Sequence, residues 1–318
     1  LFFFFQYPAA LASFHLSIRR QRQMCIRDRL NTMTHSIQST YVGDREPKPA
    51  RLQTWLIARQ ELLSSFASKR GLFVTGVFVI IWSWLLFYPI QFSAGAMNSP
   101  DKGSLVFSVL SLLGLEPLKD WLLAEFAVYW VVALYLFPGF SLLMAPDQLI
   151  SERKRGGLRF LTLRCSRGQI FFGRFLGHIL IQTCLLMITL GITYLLLIIN
   201  NVQYWLEGLQ ILPILFFNLI VVTSPFVALM SLLSVVMNSV RMAMLVASII
   251  LVLSSMVINY FAVSFEPISV LNYLVPGIQV AYMAKQTPEI ALLSLWIPIL
   301  QSAVFLILGY GLFKRQSI

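Results

Sequence analysis

The chain has 318 residues, of which 58% are hydrophobic and only 12% charged, and its mean hydropathy is +0.78. A soluble domain carries about 25% charged residues, so there is too little polar surface here to cover a water-soluble globule. A net charge of +11 would suggest nucleic acid as the partner of a soluble protein; in a chain this apolar it reads as basic residues gathered in the loops that stay cytoplasmic, and no nucleic-acid partner is expected.

Leu1 is followed by four phenylalanines, Phe2 to Phe5, and then by an arginine-rich stretch from Arg19 to Arg29. A secretory signal places its positive residues before the apolar run, and this order is reversed. The stretch resembles translated sequencing-adapter text. The expectation is that residues 1–32 are a non-native leader and that the authentic protein begins near Met33; mass spectrometry that finds residues 1–32 in natural material overturns it. Residues 33–71 read as a polar lead with Pro47 and Pro49, followed by an amphipathic helix. Leu52, Trp55, Leu56, Leu62, Leu63 and Phe66 mark one of its faces, and Arg59, Gln60, Ser64 and Lys69 fall elsewhere. A span starting directly after Lys69-Arg70 makes this an interfacial helix.

Six apolar runs long enough to cross about 30 Å of hydrocarbon follow, over 72–90, 122–145, 171–199, 211–237, 242–262 and 291–313. With residue 71 placed inside, the inner segments hold sixteen of the Lys and Arg residues after residue 32 and the outer ones only Lys102, Lys119 and Lys285. That bias sets both termini, including the tail 314–318, in the cytoplasm. Of the outer loops, 91–120 holds a short apolar run from Leu105 to Leu115. Residues 263–290 are apolar but broken by Pro267, Pro276, Gly277 and Pro288, which predicts short helices dipping back into the outer leaflet. The fold class is therefore an all-α, polytopic integral membrane protein: six transmembrane helices in a domain over 72–313, preceded by the interfacial helix.

Between the second and third spans lies a dense basic loop. Leu149, Ile150, Leu158 and Leu161 give it a partly apolar face, interrupted by Gly156-Gly157. Ser166 and Gln169 match a capping box, which predicts a fresh helix from Arg167 running straight into the third span. Gly173 and Gly177, one turn apart, permit close helix packing at the membrane entrance.

Glu152-Arg153-Lys154-Arg155-Gly156-Gly157-Leu158, then Ser166-Arg167 with Ile170, then Gly173-Arg174-Phe175 resemble the pattern in membrane subunits of type 2 ATP-binding-cassette transporters. The likeness covers about 55–313. It implies a permease subunit whose coupling helix, in the region 147–170, docks on a separate ATPase subunit that binds ATP and Mg. It also implies pairing with a second permease subunit, as a homo- or heterodimer, in a bacterial cytoplasmic (inner) membrane. Glu152, Arg153, Lys154, Arg155, Gly156, Leu158, Ser166 and Arg167 are the coupling residues so implied. Where the family often has an acidic residue and a proline, this chain has Arg159 and Arg164, so the expected ATPase carries a matching acidic surface. The competing reading of the basic block is an anchor for anionic headgroups.

No Gly-x-x-x-x-Gly-Lys-Ser/Thr occurs in the sequence, so this chain is not expected to cradle ATP itself, and no enzymatic chemistry or cofactor is assigned to it. His15, His35 and His178 are scattered; His178 reads as an interface histidine rather than a metal ligand. Gln182, Asn218, Thr223, Ser224, Asn259 and Gln301 lie within spans and suit interhelical hydrogen bonds. Asn218, Thr223, Ser224 and Pro225 form the candidate pathway, because Pro225 frees a carbonyl in the fourth span. Full charges avoid the spans; Glu125 is expected to reach the interface from the outer end of the second. A path for protons or inorganic ions would place ionisable groups inside, so the expected substrate is apolar or amphipathic and moves by export. The alternatives are a non-transporting scaffold or assembly factor and, less favoured, a secondary transporter.

Overall fold

A computed structural model describes residues 50–90, 123–145, 148–154, 156–262 and 273–316. The leader 1–32, the polar lead, the outer loop 91–120, Asp147 and Arg155 lie outside the described residues. Eleven α-helices are described: α1 Ala50–Ala67, α2 Lys69–Leu85, α3 Ala124–Met144, α4 Ile150–Lys154, α5 Gly157–Thr162, α6 Arg167–Asn200, α7 Trp205–Val236, α8 Val240–Ala262, α9 Ile278–Met283, α10 Pro288–Ala291 and α11 Trp296–Arg315. Six of them, α2, α3, α6, α7, α8 and α11, are long and apolar enough to cross a membrane.

Helix α7 is the axis of the bundle. It packs against α11, α6, α3 and α8. It continues through Pro213 and Pro225, and the second proline shows how. Pro225 has no N–H to give the carbonyl four residues back, and the Ser224 hydroxyl donates to that carbonyl, Val221 O, at 2.8 Å. The largest apolar cluster joins α2, α3, α6 and α7 through Trp82, Phe78, Phe126, Trp130 and Phe137, with Leu190 and Leu219 behind them. Lipid tails are as apolar as these side chains, so the cohesion comes from close packing and ring contacts, such as Phe78 on Phe140 at 4.5 Å between centroids.

The last span starts later than the apolar run predicts, because Pro288–Ala291 and the 3-10 turn Leu292–Ser294 take up its first residues. Backbone groups of this broken segment before the last span find protein partners, as they must wherever water is excluded. Gln301 Nε2 donates to Tyr273 O at 2.7 Å and Val275 O at 3.1 Å. Trp130 Nε1 donates to Met283 O at 3.2 Å, and Asn218 Nδ2 to Pro288 O at 3.0 Å.

One expectation needs correction. Glu125 does not reach outward: it is 1% exposed and accepts from Asn200 Nδ2 at 3.2 Å. Helix α6 is 34 residues long, about 50 Å at 1.5 Å per residue, so its far end overlaps the first turn of α3 and covers the carboxylate. The apolar stripe of α1 is covered by the bundle in part. Leu52, Trp55, Leu56 and Leu63 are exposed, whereas Leu62 and Phe66 pack on the bundle core.

Candidate functional site

The basic loop folds into two short helices and a corner. Ile150 of α4 is buried, and the chain then turns at Gly156, whose φ of 72° lies in the left-handed region where a Cβ is disfavoured. Leu158 of α5 is 2% exposed and packs with Leu149, Ile170, Phe171, Val235 and Phe313. The same small core takes in Ile57 of α1. The capping box forms: Gln169 N donates to Ser166 Oγ at 3.3 Å, and Ser166 N to Gln169 Oε1 at 2.7 Å. Helix α6 accordingly begins at Arg167.

Two arginines of the motif turn inward onto helix ends. Arg153 Nη1 donates to Val235 O at 2.6 Å, and its Nη2 to Met237 O and, at 3.2 Å, to Asn238 Oδ1. The two carbonyls lie at the end of α7. Arg167 Nη1 donates to Lys314 O at 2.9 Å, Gln316 O at 2.7 Å and Phe313 O at 3.4 Å, at the end of α11. The last carbonyls of a helix lack intrahelical donors and carry the negative pole of its dipole, so a guanidinium supplies both the hydrogens and the opposite charge. Gln316 Nε2 closes the ring by donating to Val235 O at 2.9 Å.

A third arginine ties in α1. Arg174 is 8% exposed. Its Nη1 lies 3.4 Å from Glu61 Oε2 and donates to Gln148 O, while its Nη2 is 3.4 Å from Glu152 Oε1. His178 Nε2 stands 3.5 Å from the other oxygen of Glu61. Burial pushes the Glu61 carboxyl up, but the contact with His178 and the charges of His178 and Arg174 outweigh it and hold the carboxyl below its ordinary value of 4.5. A cavity of about 270 Å³ adjoins the cluster, bordered by Ser64, Ser65 and Ser68. Helix α1 comes this close because α6 offers glycines: a Cβ on Gly173 would lie 3.0 Å from Ile57 Cβ, and one on Gly177 would lie 2.7 Å from Glu61 Cβ.

With Glu152, Arg153, Arg167 and Arg174 bonded within the chain, a different set faces outward. Lys154, Arg159 and Arg164 are exposed; Phe160 and Leu163 are 74% and 82% exposed. Two large apolar side chains and three cations are thus exposed together on one loop outside the membrane-crossing helices, a combination suited to a contact surface. Sequence reasoning did not single out Phe160, Leu163, Glu61 or Gln316. Phe160 and Leu163 were open to detection, being out of phase with Leu158 and Leu161 on a helical turn; Gln316 carried no signal.

Each candidate pathway residue has a partner or a packing role inside the chain. Asn218, fully buried, donates to Ile214 O at 2.9 Å as well as to Pro288 O. Thr223 Oγ1 donates to Ile220 O at 2.9 Å, and the hydroxyls of Ser224 and Ser302 are 2.7 Å apart, linking α7 to α11. Pro225 is buried within α7. Among the described residues no group of His, Cys, Asp and Glu could hold a metal ion.

Six helices long and apolar enough to cross a membrane, with a basic loop bonded to the ends of two of them, define a multi-pass membrane protein. The family profile of ABC-2 family transporter proteins matches residues 55–318, and the chain belongs to that family. Over 140 residues it is 29% identical to the probable ABC transporter permease protein NosY of Stutzerimonas stutzeri, an alignment that spans 44% of this chain and 43% of that protein.

Proposed function

We propose that the chain is the permease subunit of an ATP-driven exporter in a bacterial inner membrane, with both termini cytoplasmic, and that it works beside separate ATPase subunits that bind ATP and Mg. The observation that carries this reading is the outward face of the basic loop. Phe160 and Leu163 are left uncovered by the described residues, and Lys154, Arg159 and Arg164 around them suit an acidic groove on the ATPase, where charge steers encounter and the apolar pair provides the buried anchor. Gly156 and Leu158 shape and seat this face, while Glu152, Arg153, Ser166 and Arg167 act behind it.

A second permease subunit completes the assembly. Helix α8 meets the bundle with Ala243 and Ala247 and leaves Leu245, Ile249, Val252 and Met256 uncovered, a face on which such a subunit would pack. The substrate is apolar or amphipathic. In support, a groove of about 350 Å³ between α6, α7 and α11 is lined by Phe175, Ile179, Val221, Ile299 and Leu306, with the Ser224–Ser302 hydroxyl pair as its polar point.

Co-expression with a Walker-motif ATPase, sought first in the adjacent reading frame, tests the reading. The wild-type chain is expected to co-purify with that ATPase and to change its rate of ATP hydrolysis. The Phe160→Ser, Leu163→Ser double variant, which leaves the inward-facing bonds in place, is expected to lose the complex. Recovery of the complex at wild-type yield from that variant refutes the docking face.

A further inference from the structure

On the inward side of the basic loop, Arg153 and Arg167 hold the terminal carbonyls of α7 and α11, and Gln316 joins those two ends to each other. We propose that Arg153 and Arg167 are positioning residues of the transport cycle: two guanidinium clamps through which displacement of the docking face passes directly into the inner ends of the fourth and sixth spans. The inference rests on the coupling role proposed above.

Placement supports it first. Arg153 precedes the exposed Arg159, Phe160, Leu163 and Arg164, and Arg167 follows them, so load applied to Phe160 and Leu163 reaches both clamps. Helices α7 and α11 are also packed against each other, and α7 packs as well against the membrane-crossing helices α3, α6 and α8. Movement of these two ends therefore reaches most of the bundle. Chemistry supports it second. A guanidinium presents five donors in a rigid plane, which lets one side chain grip several carbonyls of a helix end at once. An ammonium keeps the charge but loses the fork.

Lysine substitutions separate clamping from charge. In the full chain reconstituted in lipid nanodiscs, Arg153→Lys is expected to speed amide hydrogen exchange at the end of α7, and Arg167→Lys at the end of α11. In the complex with the ATPase, the Arg153→Lys, Arg167→Lys double variant is expected to lower kcat for MgATP about tenfold, with KM for MgATP and the yield of complex unchanged. Unchanged exchange at both helix ends, or wild-type kcat from the intact double-variant complex, overturns the clamp assignment alone. A wild-type chain that forms no complex with the ATPase overturns the coupling role, and this inference with it.

Discussion

Glu61 is a largely shielded acid, its side chain 17% exposed, on a helix whose outward positions are Leu52, Trp55, Leu56 and Leu63. An unpaired carboxylate in that setting would carry a desolvation penalty of several kcal/mol. Arg174 and His178 compensate it, and Glu152 shares the same guanidinium. The folded-state pKa lies below 4.5, which fixes the sign of the pH effect. Above the unfolded value the carboxylate is charged in both states and its stabilisation is fully present. As the pH falls below about 4.5 toward the folded value, the unfolded chain takes up the proton first and the stabilisation is lost. Thermal unfolding in detergent should therefore show a stability difference between wild type and Glu61→Gln that is constant from neutral pH down to about 4.5 and shrinks below it. A difference that grows on acidification contradicts the pairing.

The seam between α1 and α6 shows how element packing rests on what is missing. Replacing a helical glycine by alanine gains up to about 1 kcal/mol in propensity. At Gly177 the new Cβ would meet Glu61 Cβ at 2.7 Å and Ala58 O at 3.1 Å, and overpacking of that kind costs about 1–3 kcal/mol. The clash outweighs the gain. Gly177→Ala should lower the melting temperature and, by loosening α1, speed tryptic cleavage at the exposed Arg59, whereas Gly191→Ala, where a Cβ meets nothing within 4 Å, should not. This seam also marks how far the sequence could be read. The glycine pair, the capping box at Ser166 and Gln169 and the six apolar runs were legible because each is a local pattern. The partners of Arg153, Arg167 and Arg174 were not, for they lie 82, 149 and 113 residues away at Val235, Gln316 and Glu61. A basic run does not encode which of its charges turn inward.

At the scale of the molecule, the arginine contacts, the seam and the proposed docking face all gather at one end of the bundle. That end comprises the start of α6, the ends of α7 and α11 and the loop between α3 and α6. Helices of 34 and 32 residues are about 50 Å long against about 30 Å of hydrocarbon, so this end can stand clear of the lipid tails and keep its charges hydrated. Sixteen basic residues against three in the flanking segments support placing it in the cytoplasm. Leu163, the more exposed of the two apolar anchors, reports both the side and the contact. With Cys25, Cys165 and Cys184 replaced by serine, Leu163→Cys should react with a membrane-impermeant maleimide in inverted vesicles and stay unlabelled in intact spheroplasts. Adding the purified ATPase to the vesicles should slow the labelling, because docking covers the residue. Labelling in intact spheroplasts would invert the topology and remove the loop from reach of any cytoplasmic ATPase. Labelling in inverted vesicles that the ATPase leaves unchanged would keep the topology and move the contact away from Leu163.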